Sequence, residues 1–187
     1  PWMQGFFNVL MVGRYAGEKR QDELIEACAK SRHAQEIQVI LAGKGPLEKK
    51  YRRLAEKLPN PIVMEFYEPA RLLEILHMAD LYVHTSDAEI EAMSCMEAFA
   101  CGLVPVIADS PRSATPQFAL DGRSLFPAGD TDALAERIDW WIEHPAERQE
   151  MERRYAEHAK QYSLAESIRR TEEMFRQAIA EQRGTRA

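Results

Sequence analysis

No stretch of this sequence stays apolar for the ~20 residues that a helix needs to cross a bilayer, so no membrane span is expected. Positive charge is in deficit as well: 24 Lys and Arg stand against 30 Asp and Glu, a formal charge of −6. With no basic surplus to neutralise a phosphate backbone, a nucleic-acid partner is not expected. A single anionic ligand stays open, because local charge matters more than the total. Cysteine is scarce. Cys28, Cys95 and Cys101 are an odd number without metal-ligand or redox spacing, and such small thiols suit a reducing cytosol. Signal-peptide features, internal repeats and low-complexity tracts are also missing. The chain opens on Pro1-Trp2 without an initiator Met, which reads as a piece of something longer.

What is there is an ordinary globular composition, 45% apolar and 29% charged, over 187 residues. That suffices for one domain with a real core. Strand-like and helix-like patterns alternate. Phe6–Val12 is strand-like, and Asp22–Ala34 is helical, with Leu24, Ile25, Ala27 and Cys28 at helical spacing. Ile37–Ala42 is a short apolar run fit for a strand buried on both faces. A helix at 47–58 ends before Pro59-Asn60-Pro61, which cannot continue it. Strand 62–67, helix 70–79, strand 80–84, helix 94–101, strand 103–107 and strand 123–126 follow. Beyond Gly129 the pattern is helical: Asp130 is an N-cap, Pro145 starts the next helix, and Ser163-Leu164-Ala165-Glu166 is a capping box for the last. This alternation predicts an α/β fold, a doubly wound parallel sheet with helices on both faces and a helical C-terminal extension. One domain over 1–187 is expected, with its core at about 5–162 and a last helix at about 163–182.

Open parallel sheets bind ligands at the carboxyl ends of their strands, and the unusual segments gather there. Gly13-Arg14 follows the first strand, Gly43-Lys44-Gly45-Pro46 the second and Tyr67-Glu68-Pro69 the third. The loop around Glu89 follows the fourth, and Asp109–Thr115 the fifth. Glu89 and Glu97 have seven residues between them, one on the loop and one in the first turn of the next helix. Carboxylates so placed can grip sugar hydroxyls on either side of a diphosphate, and Arg14 and Lys19 are cations that would meet its charge.

Plainer readings stand beside these. Arg14 and Lys19 also suit a solvated loop, and Ser94-Cys95-Met96-Glu97 is itself a capping box that would compete with a ligand for Glu97. The helix start at Ser94 offers free N–H groups to an anion. His84 at a strand end fits a general base or, more simply, a packed side chain. Asp130-Thr131-Asp132 mimics a metal-binding Asp-x-Asp, yet it opens a helix and is better explained as a cap. No His, Cys or carboxylate cluster has metal-ligand spacing, and Gly43–Gly45 lacks the Lys-Ser/Thr ending of a P-loop. No metal site is predicted.

Several of these pieces form an ordered set. Gly13-Arg14 with Glu18-Lys19 leads into Leu24-Ile25-Glu26-Ala27, and Ala42-Gly43-Lys44-Gly45-Pro46 follows. The glutamate pair then runs on through Glu97-Ala98-Phe99-Ala100-Cys101-Gly102-Leu103-Val104-Pro105-Val106-Ile107. Asp121-Gly122-Arg123-Ser124-Leu125-Phe126 and Gly129-Asp130 with Leu134-Ala135 come last. The set, over about residues 7–178, resembles the donor-binding half of the retaining glycosyltransferases of family four. That resemblance implies the GT-B fold, two Rossmann-like domains facing across a cleft, of which this chain is the C-terminal one. It implies a UDP- or GDP-sugar as donor substrate and no cofactor or metal, cationic side chains and helix N-termini taking the metal's place. It further implies that Arg14 and Lys19 hold the diphosphate, that Glu89 binds the transferred sugar, and that Glu97 binds the ribose. Tyr67 and Glu68 would flank the base, and Gly13, Gly43, Ala92, Met93 and Ser94 complete the expected site.

Two departures matter. The stretch between the glutamates often contains glycine in that family, whereas here it is Ile90-Glu91-Ala92-Met93-Ser94, with a third acid expected to point away. Tyr67-Glu68 stands where a glycine is common, which leaves the base open. A subgroup of bacterial transferases shares the first wording, some acting on lipid-linked acceptors. The longer parent is therefore expected in the cytoplasm or peripherally at the inner face of the membrane. Leu164, Ile168, Met174, Phe175 and Ile179 fall on one stripe of the last helix, which would brace the missing N-terminal acceptor domain. Without that domain the stripe would be exposed or buried in a self-dimer. Alone, the chain is expected to bind nucleotide weakly and transfer little or nothing. An epimerase or hydrolase of the same fold, and a non-catalytic interaction module, are the alternatives.

Overall fold

The structure, a computed structural model, describes residues 5–184. The outer limits of the expected unit, 1–4 and 185–187, lie outside the described residues. Six strands form one sheet: β1 (Phe7–Val12), β2 (Ile37–Ala42), β3 (Val63–Glu65), β4 (Leu81–His84), β5 (Pro105–Asp109) and β6 (Leu125–Pro127). Every pairing is parallel, and the order is β3-β2-β1-β4-β5-β6. β2 is apolar at all positions but Gln38 and buried at every one, as a strand covered on both faces must be. The helices are α1 (Gln21–Lys30), α2 (Glu48–Leu54), α3 (Pro69–Met78), α4 (Met93–Ala100), α5 (Thr131–Glu143), α6 (Pro145–Ala159) and α7 (Leu164–Gly184).

The strand order runs outward from β1 to β3 and then reverses from β4 to β6. That reversal between β1 and β4 is the switch point at which doubly wound sheets open a crevice. The core beneath it is aromatic as well as aliphatic, with Tyr82, Phe99, Phe126, Trp141 and Tyr155 all buried. Phe99 of α4 packs on Tyr155 of α6 with ring centroids 5.9 Å apart. A buried carboxylate, Asp139 of α5, joins α5 to the end of α1. It accepts from the Ser31 hydroxyl and from the Arg32 backbone N–H (3.2 Å) and Nε (3.1 Å).

Expected caps and ends are met in part. Asp130 accepts from the N–H groups of Asp132 and Ala133, and Pro145 opens α6. Ser163 accepts from the Glu166 N–H at 3.3 Å, but Glu166 turns its own carboxylate to Arg169 and Arg170, so the box closes one way only. α1 stops at Lys30, short of Ala34, because Ser31 turns to an extended backbone and its hydroxyl is taken by Asp139. β3 is three residues where six were expected, as an edge strand paired on one side. The last strand starts at Leu125, because Asp121 caps a single turn over Gly122–Ser124.

Candidate functional site

Two helices start at the switch point, and both start from strain. Arg20 (φ 52°) precedes α1 and Ala92 (φ 48°) precedes α4, and among the described residues they alone are non-glycine residues with positive φ. Each left-handed residue of this kind costs ~1–2 kcal/mol, and such strain persists only where neighbours enforce it. The Thr85 hydroxyl, just past β4, lies 2.8 Å from the Lys19 carbonyl and 2.9 Å from that of Arg20. It pins the first loop to the fourth strand.

The loop carrying Glu89 is held from both sides. The Asp87 N–H donates to the Glu18 carbonyl (2.9 Å), and the Ser110 hydroxyl donates to the Asp87 carbonyl (2.7 Å). Arg112 pairs with the Asp87 carboxylate, and the Ala114 N–H donates to the Glu89 carbonyl at 2.9 Å. So fixed, Glu89 meets Lys19 in an ion pair that spans the switch point. Burial pushes the Glu89 carboxyl up, but the hydrogen bond and charge of Lys19, helped by His84, outweigh it and leave the group below the usual carboxylate range. Glu89 is thus ionised near neutral pH.

A hollow of about 470 Å³ lies over this pair, lined by Lys19, Glu89, Ile90, Ala92, Met93 and Ser94. Glu91, expected to point away, is exposed and also lines it. A second hollow, about 460 Å³, lies over β1, β2 and the segment after β3, lined by Gly13, Arg14, Gly43, Phe66, Tyr67 and Leu72. Its floor depends on the absence of side chains. A Cβ on Gly43 would lie 2.0 Å from the Gly13 carbonyl oxygen, and one on Gly45 would lie 2.5 Å from that of Tyr15. The first loop therefore runs directly over the second, joined by Gly13 N–H to Ala42 C=O (3.0 Å) and Tyr15 N–H to Lys44 C=O (3.1 Å). The Arg14 guanidinium is exposed and has no hydrogen-bond or ion-pair partner among the described residues. Lys44 lies 4.1 Å over the Phe66 ring. Burial, then Glu65, pushes the half-buried Tyr67 phenol up to about 12, so it stays protonated.

The expected residues thus fall into two groups and a remainder. Gly13, Arg14, Gly43 and Tyr67 meet in one hollow; Lys19, Glu89, Ala92, Met93 and Ser94 meet in the other. Glu68 and Glu97 are exposed and line neither. The capping box at Ser94 is a correction. α4 begins at Met93 with Ala92 as its N-cap, and the Ser94 hydroxyl lies inside the helix, 3.0 Å from the Tyr82 hydroxyl. Glu97 therefore has no capping duty, and its carboxylate is free among the described residues. Sequence reasoning missed the clamp of Asp87, Ser110 and Arg112. Its members follow two different strands, so only the strand order brings them together. His84 is packed, as the plainer reading held, but it is packed against Glu89.

No helix among the described residues is long and apolar enough to cross a membrane. Nor do three or more His, Cys, Asp or Glu side chains converge among them to hold a metal ion.

A family model described as glycosyl transferases group 1 matches residues 4–162. EpsD of Bacillus subtilis (strain 168), which carries a provisional glycosyltransferase name, is 31% identical over 159 residues. The match takes in 83% of this chain but 40% of EpsD, so the chain spans less than half of that relative. Among solved structures, the catalytic domain of cholesterol-α-glucosyltransferase from Helicobacter pylori aligns with a TM-score of 0.81 at 49% identity, over 84% of this chain and 99% of that one. The pneumococcal O-GlcNAc transferase GtfA, solved with UDP and GlcNAc, gives a TM-score of 0.78 at 21% identity, over 94% of this chain and 37% of GtfA. At that identity the second likeness shows the fold alone.

Proposed function

The chain belongs to group 1 of the glycosyl transferases, with the fold of one half of a GT-B enzyme, and from that premise we propose that its parent is a retaining hexosyltransferase using a nucleoside-diphosphate sugar. This domain binds the donor. One observation carries the reading: an ionised Glu89 and Lys19 face each other across the switch point, in the same hollow as the first turn of α4. Arg14, on the same loop as Lys19, is left unpaired over the neighbouring hollow.

The roles follow from the charges. An ionised carboxylate accepts hydrogen bonds, so Glu89 orients the hydroxyls of the transferred sugar and is neither a general acid nor a base. Arg14, Lys19 and the α4 N–H groups offset the charge that develops on the leaving diphosphate, each charge-assisted bond contributing ~1.5–3 kcal/mol. The hollow bounded by Phe66, Tyr67 and Leu72 takes the base, with an apolar wall and a neutral phenol. We assign the ribose to Glu97, whose exposed carboxylate has no hydrogen-bond or ion-pair partner among the described residues.

The acceptor arrives from the missing half, and α7 is the element we assign to that contact. Between a saccharide and a lipid-linked acceptor, the rim favours the second. Ile90 is 86% exposed and Met93 56% exposed beside Glu89 and Lys19, an apolar ledge that the apolar part of a lipid-linked acceptor can cover. A parent of this kind works in the cytoplasm, peripherally at the membrane's inner face. Calorimetric titration with UDP, GDP and ADP tests the donor reading, and silence from all three at millimolar concentration would sink it. Arg14→Ala should weaken binding of the favoured diphosphate at least tenfold, and an unchanged dissociation constant removes Arg14 from the site. Incubating the full-length parent with donor but no acceptor separates a transferase from an epimerase or hydrolase.

A further inference from the structure

His84 closes β4 at the switch point, 1% exposed, and nothing in the donor reading uses it. Its Nδ1 lies 3.2 Å from the Tyr82 hydroxyl, which in turn lies 3.0 Å from the Ser94 hydroxyl. Its Nε2 is buried without a hydrogen-bond partner and stands 3.7 Å from Oε2 of Glu89. Four side chains therefore form a line beneath the hollow, from Ser94 through Tyr82 and His84 to Glu89. We propose that His84 is a positioning residue for the sugar: it aims an Nε2–H at Glu89 and holds that carboxylate in place when Lys19 turns to the donor's diphosphate. The inference rests on the donor reading above and deepens it.

Burial lowers the imidazole to about 4, Lys19 adding to the effect and Glu89 opposing it, so the ring is neutral at pH 7. A neutral imidazole has one N–H and one lone pair. With the proton on Nδ1, a bare lone pair on Nε2 would face a carboxylate across 3.7 Å, and both would be without a donor between them. With the proton on Nε2, the N–H faces the carboxylate and Nδ1 accepts from Tyr82. A hydroxyl pair can be polarised in either direction, and this tautomer decides it: Ser94 donates to Tyr82, and Tyr82 donates to His84.

Two consequences reach the ligand. The Ser94 proton is used inward, so its hydroxyl offers only lone pairs to the hollow. It suits a sugar hydroxyl and repels a phosphate oxygen, leaving the diphosphate to backbone N–H groups and cations. Glu89, meanwhile, has two side-chain neighbours of use, Lys19 and His84. A diphosphate competes for Lys19. Once the ammonium is shared, His84 is the donor that keeps Glu89 aimed at the sugar.

The test has a ligand-free arm and a binding arm on the same chain. Nitrogen-15 NMR of the unaltered protein at pH 7 reads the tautomer directly; a neutral ring protonated on Nε2 is expected, and protonation on Nδ1 or on both nitrogens overturns the proposal. The binding arm compares UDP-glucose with UDP. His84→Asn keeps a polar group near Tyr82 but withdraws the one facing Glu89, so the affinity gained from the sugar should fall about tenfold, the worth of one charge-assisted bond, with UDP binding unchanged. His84→Gln, which can reach Glu89, should restore most of it. Equal loss for both ligands in both variants assigns His84 a merely structural role, and no loss in either overturns its action through Glu89. If unaltered chain ignores UDP-glucose, GDP-mannose and ADP-glucose alike, the donor reading has failed, and the tautomer still judges the relay.

Discussion

Around Glu89 the backbone is tied by the loops after β1 and β5, its side chain is paired, and a buried polar line runs beneath it. From Leu164 to Gln182, by contrast, every residue of α7 except Glu166 is exposed, and Leu164, Ile168, Met174, Phe175 and Ile179 each leave half or more of their surface to solvent. The rim keeps Arg20 and Ala92 in strained left-handed conformations, which persist because neighbouring contacts enforce them. Along α7 run exposed pairs such as Glu166 with Arg170 and Arg176 with Glu172, which stabilise a surface helix little. The rim is tied down by contacts from several elements, whereas the helix leaves its apolar stripe exposed. Preorganisation on the rim is what a transition-state site requires, and a docking element has no such need.

The largest expected break of that contrast is Gly43→Ala. Its Cβ would meet a backbone oxygen at 2.0 Å, which cannot rotate away as a side chain could. A loss on the order of 3 kcal/mol or more is expected, read as a fall in melting temperature on the order of 10 °C for a domain of this size. Gly17→Ala is the control, since nothing lies within 4 Å of its added Cβ. If the two variants melt together, the loops over β1 and β2 are not in contact and the rim is not rigid.

The difference between the regions also explains what could be read from the sequence. β2, α5 and α6 were legible because their signals are local: an unbroken apolar run, Asp130 before the helix, Pro145 in its first turn. Glu89 and Lys19 were legible as types at loop positions, and α7 as a stripe. The start of α4 was not. Ser94-x-x-Glu97 has the local wording of a cap, but the Ser94 hydroxyl is claimed by Tyr82, a residue on another element. No propensity places Ala92 in a left-handed conformation; the fit of α4 against β4 does. The clamp on Asp87 likewise joins segments 23 or more residues apart. Where tertiary contacts define the candidate site, local pattern fails.

A smaller effect separates the regions by acidity. His84 has a folded pKa lowered to about 4 from an ordinary 6.5. The unfolded chain therefore binds more protons between those values, and stability rises with pH across that window. The contribution is full above about 6.5 and is lost as pH falls through about 4, on the order of 3 kcal/mol at 1.36 kcal/mol per unit. Glu89, held below its ordinary value, adds a loss of the same sign at lower pH as it protonates. Urea unfolding from pH 7 to 4 should show a slope that His84→Gln flattens. An identical slope in the variant means that the ring is not buried neutral beside Glu89, and the rim loses part of its claim to order.

The smallest effect belongs to α7. Ending the chain after Ser163 removes the helix but no buried apolar side chain of the body, whose core aromatics lie within residues 15–155. The unfolding free energy of the remaining domain should change by about 1 kcal/mol or less, the range of surface changes, and UDP binding should persist. A loss of several kcal/mol would mean that α7 packs on its own domain, and the contrast with the rim would vanish. The sharper case is the longer parent. There, on the proposed function, the same truncation should abolish transfer while leaving donor binding intact, because an exposed apolar stripe gains its free energy only where a second surface buries it.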